Sequence, residues 1–429
     1  MAKIVFAVSN YYKELPNFYE IYEQLSRENR NCEVVLCVLW GRYRDVGSFD
    51  YEETMKMWLE REVLIIHLDD HDSQSLPDVF AELRPNAIVM QNDVAPSESA
   101  LLAVARAQGI PSLLMQESHM GMGSFRGADL SGYLRVVRYL RRMGTKEVQS
   151  YMALNRTLVG LHHNPFTPIP IVVRDMLSRL VHQHNWGCGG CTKISVFGDQ
   201  MRQNLLDRNI PEDRIVVTGC PLLDSVHNTR TTIDTNEICK LLNIPCDTKK
   251  LLLLTQPFVK DGEWSAQQGD QFVSSVLKAM NRIPECTPLL KIHPRESRSE
   301  YQRLLQGVGL GHIPIIQKEV SLYALLASSD IVIGVNSTAL LEAMCFSKPV
   351  VVVNLYQESD VFGFVTSKAV LNVEDPEVLD TAVQTALCDE DVILELSEKR
   401  EKYVYDNAYL IDGKASKRVA DLIFDLAEG

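Results

Sequence analysis

Two polar corners in the second half of this 429-residue chain carry side chains able to hold an anion. One is His293-Pro294-Arg295, directly after the largely apolar run from Leu289 to Ile292. The other is Asn336-Ser337-Thr338, after the wholly apolar run from Ile331 to Val335. Short apolar runs bounded by polar turns predict buried parallel strands, so each corner falls at a strand's carboxyl end. The residues after Thr338 predict a helix, whose first free N–H groups and positive dipole end face that strand edge. A phosphate suits such a place, although a Ser or Thr there also serves as a plain N-cap. Gln256 stands at the tip of another predicted strand, Leu251 to Thr255, beside the same edge.

The first half offers groups for proton transfer. Predicted strands from Asn86 to Met90 and from Pro111 to Met115 run into Gln91-Asn92-Asp93 and Gln116-Glu117-Ser118-His119. Asp93, Glu117 and His119 are therefore the candidate acids and bases, delivered to one sheet edge where an open α/β fold has its crevice. The loop after the first strand, Ser9 to Pro16, faces the same crevice and contributes Asn10. It lacks G-x-G-x-x-G, so a dinucleotide is not expected.

The elements that must position these groups alternate strand and helix along the whole chain, which predicts a doubly wound α/β class without internal repeats beyond two similar folds. A polar, Thr- and Asn-rich stretch divides it. The expected organisation is an amino-terminal Rossmann-like domain over 1–228, a linker over 229–250, and a carboxyl-terminal Rossmann-like domain over 251–400. Helices over 401–429 follow.

His-Pro after one strand, a Ser-Thr pair opening a helix, then Glu342-Ala343 and Lys348-Pro349-Val350 together resemble the nucleotide half of the two-Rossmann glycosyltransferases, the GT-B architecture. Bacterial capsule and teichoic-type glycosyl- and glycerophosphotransferases, and the UDP-N-acetylglucosamine 2-epimerases, are similar; Asp412-Gly413-Lys414-Ala415-Ser416 resembles the epimerases' tail. The resemblance covers roughly residues 190 to 425. It implies two Rossmann-like parallel-sheet domains facing a cleft, with the carboxyl-terminal helix returning to the first domain.

The resemblance further implies that His293 and Arg295 contact the donor's phosphates, that Ser337 and Thr338 hold them at the helix start, and that Glu342 grips the ribose hydroxyls. Transfer of a sugar from a nucleotide donor to a glycan or lipid-linked acceptor is the activity implied, with no metal and no further cofactor. Gly334 stands where retaining members place a Glu, which favours inversion. Ser347 departs from the family's usual Gly. The alternatives are a 2-epimerase, against which the absence of a G-T-R-P-E loop after the first strand counts, and a CDP-glycerol-type glycerophosphotransferase.

Composition bounds the rest. An apolar fraction of 46% and a charged fraction of 23% belong to a protein with full cores, and a formal charge of −13 argues against nucleic-acid binding. No apolar run approaches the roughly 20 residues of a membrane span, and the amino terminus reads as a strand, so a cytoplasmic protein is expected. Ten scattered cysteines are expected as reduced thiols. Cys188 and Cys191 form a lone C-x-x-C near His182 and His184, and a flexible glycine bend explains the stretch better than zinc. Residues 121–185 hold nine Lys or Arg against three Asp or Glu. Within them Arg135, Arg138 and Arg142 form one stripe of a predicted amphipathic helix, which reads either as a core-packed helix with a solvated basic side or as a face for an anionic acceptor or an anionic membrane surface at the inner face of the cell membrane.

Overall fold

The computed structural model describes residues 1–8, 11–28, 30–39, 51–68, 76–117, 152, 154–159, 161 and 186–429. Strands β1 (Ala2–Val8), β2 (Cys32–Val38), β3 (Leu64–His67), β4 (Ala87–Met90), β5 (Ser112–Met115), β6 (Lys193–Val196) and β7 (Ile215–Val217) form one sheet, ordered β3-β2-β1-β4-β5-β6-β7. Strands β8 (Lys249–Leu254), β9 (Cys286–Lys291), β10 (Ile315–Ile316), β11 (Ile331–Gly334), β12 (Val350–Val353) and β13 (Leu371–Val373) form the other, ordered β10-β9-β8-β11-β12-β13. Every neighbouring pair is parallel. The two sheets share one plan, with the direction of winding reversing between β1 and β4 and again between β8 and β11. Open α/β sheets hold ligands just outside the carboxyl ends at such a reversal.

Both sheets are covered on both faces, which is why their strands read as apolar runs. β11 and β12 are buried at every position. Helices α1 (Tyr11–Arg27), α2 (Tyr51–Glu60), α3 (Leu76–Leu83) and α4 (Pro96–Ala107) belong to the first sheet, and α5 (Asp199–Leu206) follows β6. The sequence predicts the first helix from Asn17, yet α1 begins at Tyr11 and runs through Pro16. Burial of Leu15 and Phe18 against Phe6 outweighs the hydrogen bond that Pro16 cannot make. The sequence predicts a strand from Ile313 to Ile316, which shrinks to the two residues of β10, an edge strand paired with β9 alone.

The polar stretch between the sheets is helical: α6 (Asp224–Thr232) and α7 (Thr235–Leu242) occupy much of it. Helices α8 (Ala266–Arg282), α9 (Arg298–Gly307), α10 (Leu322–Ser328), α11 (Thr338–Cys345), α12 (Leu379–Cys388) and α13 (Glu390–Ala408) accompany the second sheet. The last helix, α14 (Ala415–Glu428), packs Val419, Ala420 and Ile423 onto the first sheet with Ile4 and Phe6. Asp224 fixes its start, accepting the N–H groups of Ala415 and Ser416 at 2.8 Å each. Arg418 adds a bond from Nε to the Thr218 carbonyl at 2.6 Å and pairs with Asp412. The Asp412 to Ser416 tail thus clasps α14 to the loop after β7.

The two halves share a core. Phe197, Cys220 and Val226 lie in the same apolar cluster as Leu252, Leu340 and Tyr403. At Gly198 a Cβ would stand 2.3 Å from the Asp406 carbonyl oxygen, so only glycine lets α5 begin against the end of α13.

Candidate active site

At the reversal of the second sheet, Gln256 stands two residues beyond the end of β8 and Asn336 two residues beyond the end of β11. Gln256 locks the two together: its Oε1 accepts the Asn336 N–H at 2.9 Å and its Nε2 donates to the Asn336 carbonyl. The amide of Asn336 donates to the Ser359 carbonyl at 3.1 Å, while its Oδ1 is buried without a hydrogen-bond partner among the described residues. Gln256 therefore builds the corner.

Ser337 is the N-cap of α11, its Oγ accepting the Ala339 N–H at 3.2 Å. The next N–H, of Leu340, goes to the Ser337 carbonyl. Among the described residues this leaves the N–H and hydroxyl of Thr338 without partners, so the anion-binding capacity of the corner lies at Thr338 and the dipole end. One turn further on, Glu342 is half-buried and has no hydrogen-bond or ion-pair partner among the described residues. Burial pushes its carboxyl up to about 7. A carboxylate so placed is matched by two adjacent hydroxyl donors, such as those of a ribose.

The His293 corner is held from below by a residue the sequence reading passed over. Glu296 accepts the His293 N–H at 2.9 Å, the Tyr301 hydroxyl at 2.7 Å, and the Thr255 hydroxyl. Its spacing of three from His293, one helical turn, was the available signal. The His293 imidazole receives the Arg295 N–H on Nδ1 at 3.1 Å. Burial, then the Arg295 charge, holds the ring below its usual pKa. Arg295 itself is exposed and forms a two-pronged pair with Asp261 at 2.7 and 2.8 Å, so its guanidinium is engaged with a carboxylate in this structure.

On the first sheet, Asp93 is buried and serves a turn. Its carboxylate accepts the Gly187 N–H at 3.0 Å and the Gly189 N–H at 2.6 Å. A Cβ on Gly189 would fall 2.3 Å from the Asp93 carbonyl oxygen, which explains the glycines around Cys188. Burial raises the Asp93 pKa against the lowering effect of those two bonds. With both oxygens occupied, Asp93 has less reach as a base than Glu117, which is half-buried at the end of β5. His119 and Asn10 lie outside the described residues, as do His182, His184, Arg135, Arg138 and Arg142. Cys191 is buried with Sγ 3.8 Å from the Met90 sulfur, and Cys188 is exposed. All ten cysteines are free thiols.

The carboxyl-edge residues of both sheets meet around one cavity of about 310 Å³, where Gln116 from β5 and residues of α5 face Leu341 of α11 and the loop after β12. Two parallel doubly wound sheets that meet around such a cavity define a GT-B-like architecture. Residues 194–424 match the family model described as UDP-N-acetylglucosamine 2-epimerase, and the chain belongs to that family.

Solved structures agree on the fold. The UDP-GlcNAc 2-epimerase from Neisseria meningitidis bound to UDP-GlcNAc is 14% identical with a TM-score of 0.58, over 99% of this chain and 100% of that one. An S. aureus MnaA–UDP co-structure is 15% identical with a TM-score of 0.56, over 99% and 98%. The wall teichoic acid polymerase TagF is 15% identical with a TM-score of 0.53, over 100% and 89%. No curated protein matches the chain by sequence. Among the described residues no helix is long and apolar enough to cross a membrane.

Proposed function

We propose that this protein binds a nucleotide-activated sugar at the second sheet's reversal, breaks the bond between the anomeric carbon and the diphosphate, and passes the sugar to an acceptor hydroxyl. Glu342 carries the reading: a half-buried carboxylate without a partner, one turn beyond an open helix start, is costly unless a ligand completes it. The diphosphate would meet the Thr338 N–H and hydroxyl and the Nε2–H of His293. In the transfer step Glu117 or His119 takes the acceptor's proton, the acceptor oxygen bonds to the anomeric carbon, and the leaving electron pair goes to the diphosphate. Charge is neutralised by protein donors in this scheme, so chelators leave activity unchanged.

Family membership supports a second reading, epimerisation at C2 of the same kind of donor. The likeness to TagF supports a third donor class, a CDP-linked glycerol. A melting-temperature panel of UDP, GDP, CDP, CMP and ADP compounds names the base; if none raises it at millimolar concentration, the nucleotide reading fails. Incubating the donor alone then separates the reactions. Conversion without acceptor means epimerisation, and dependence on an added acceptor means transfer.

A further inference from the structure

The cavity between the two sheets has a chemical character of its own. Its walls present four carboxamides: Gln116 at the end of β5, Gln200 and Asn204 one turn apart on α5, and Asn407 at the end of α13. Among the described residues no Lys, Arg or His lines it, and the one carboxylate among them, Asp406, is paired with Lys402 at 2.7 Å. Phe362 and Tyr403 supply an apolar side. The side-chain amides of Gln200 and Asn204 make no hydrogen bond with any described residue, and Asn407 uses only its Nδ2, donating to the Tyr403 carbonyl at 2.9 Å. An amide offers a donor and an acceptor side by side, as a hydroxyl does, and among the described residues this wall adds no cationic donor of the kind that charge-assisted phosphate binding uses.

We propose that this cavity is a binding site for one uncharged saccharide ring, distinct from the nucleotide corner. At about 310 Å³ it stands at the small end of ligand pockets, roughly 300–1,000 Å³, which suits a single ring rather than a whole nucleotide sugar. The amides of α5 and α13 meet the ring hydroxyls, and Phe362 and Tyr403 cover its C–H face. The position gives the site a use. Gln116 stands just beyond the carboxyl end of β5 and Leu341 on α11, so a sugar here lies between the first sheet's carboxyl edge and the donor helix. The inference rests on the proposed function and deepens it, naming the acceptor class as a neutral glycan.

The test is ligand-observed saturation-transfer NMR on the full chain with glucose, N-acetylglucosamine and glucose 6-phosphate at millimolar concentration, beside UDP binding measured separately. Neutral sugars are expected to bind, with glucose 6-phosphate at least about tenfold weaker. The double variant Gln200→Leu, Asn204→Leu should lose sugar binding by about tenfold or more while UDP affinity stays unchanged. Asn407→Ala, on another wall, reads the same loss if the double variant does not fold. No transfer to neutral sugars, sugar binding unaltered in both variants, or loss of UDP together with the sugar overturns the assignment. Sugar binding without any nucleotide binding would sink the proposed function and leave this site standing.

Discussion

The backbone N–H of Arg295 donates to Nδ1 of His293 at 3.1 Å, and that bond holds the imidazole proton on Nε2. A charge-assisted hydrogen bond contributes roughly 1.5–3 kcal/mol, so His293→Ala should weaken nucleotide binding by about one to two decades in a calorimetric titration. Thr338→Val should also weaken it, whereas Ser337→Ala should act mainly on helix stability, at about 1 kcal/mol. The pH sign follows from burial. The folded-state pKa lies below the usual 6.5, so this group's stabilising contribution is complete above that pH and is lost as pH falls through the lowered value. Equal affinity in wild type and His293→Ala would make the corner purely structural.

Glu342 has the opposite sense. Its folded-state pKa, about 7, lies above the ordinary 4.5, so the unfolded chain releases the proton first and the ligand-free protein loses stability as pH rises through that window. Glu342→Gln should therefore stabilise the free protein at pH 8, on the order of 2 kcal/mol, while weakening nucleotide binding. Denaturant melts at pH 5 and pH 8 check it. A variant no more stable at pH 8 than at pH 5, relative to wild type, would contradict the assignment.

Asp93→Asn should destabilise the fold. Its amide nitrogen would face the Gly187 or the Gly189 N–H, setting donor against donor, at about 1–3 kcal/mol. The measurement is the midpoint of urea unfolding beside donor turnover. An inactive variant with unchanged stability would return Asp93 to the role of base.

Removing the clasp on the last helix should cost about 1–2 kcal/mol, because Asp224→Ala leaves two N–H groups at the start of α14 without an acceptor. Amide exchange should rise across residues 415–428 before it rises in β11 or β12. Uniform acceleration everywhere would mean that α14 is not held separately.

The basic stretch 121–185 makes its own prediction from sequence. Replacing Arg135, Arg138 and Arg142 together by Gln should release the protein from anionic vesicles, as should high salt, in a sedimentation assay. Wild-type protein that ignores such vesicles would remove the membrane from the account.

The class of fold, most strand positions and the polar corners were legible in the residues alone. Both faces of a doubly wound sheet are covered, so Ile331 to Val335 and Val350 to Val353 had to be apolar throughout, and whatever polar group came next had to lie at a carboxyl edge. The start of α11 was legible for the same reason, since Ser337 and Thr338 follow such a strand directly. Edges were harder: β10 lost half its expected length because an edge strand has one partner to hold it.

What no local pattern holds is the use of each polar group, because partners lie far apart in the chain. Ser337 spends its hydroxyl on its own helix, accepting the Ala339 N–H. Asp93 meets backbone N–H groups more than ninety positions away. Arg295 meets Asp261, and Asp224 meets a helix start nearly two hundred residues on. Those pairings exist only when the sheets bring distant turns within about 3 Å, the range in which a hydrogen bond forms. The carboxamide-lined cavity is of this kind as well: Gln116, Asn204 and Asn407 line one cavity only where the two sheets and α13 meet.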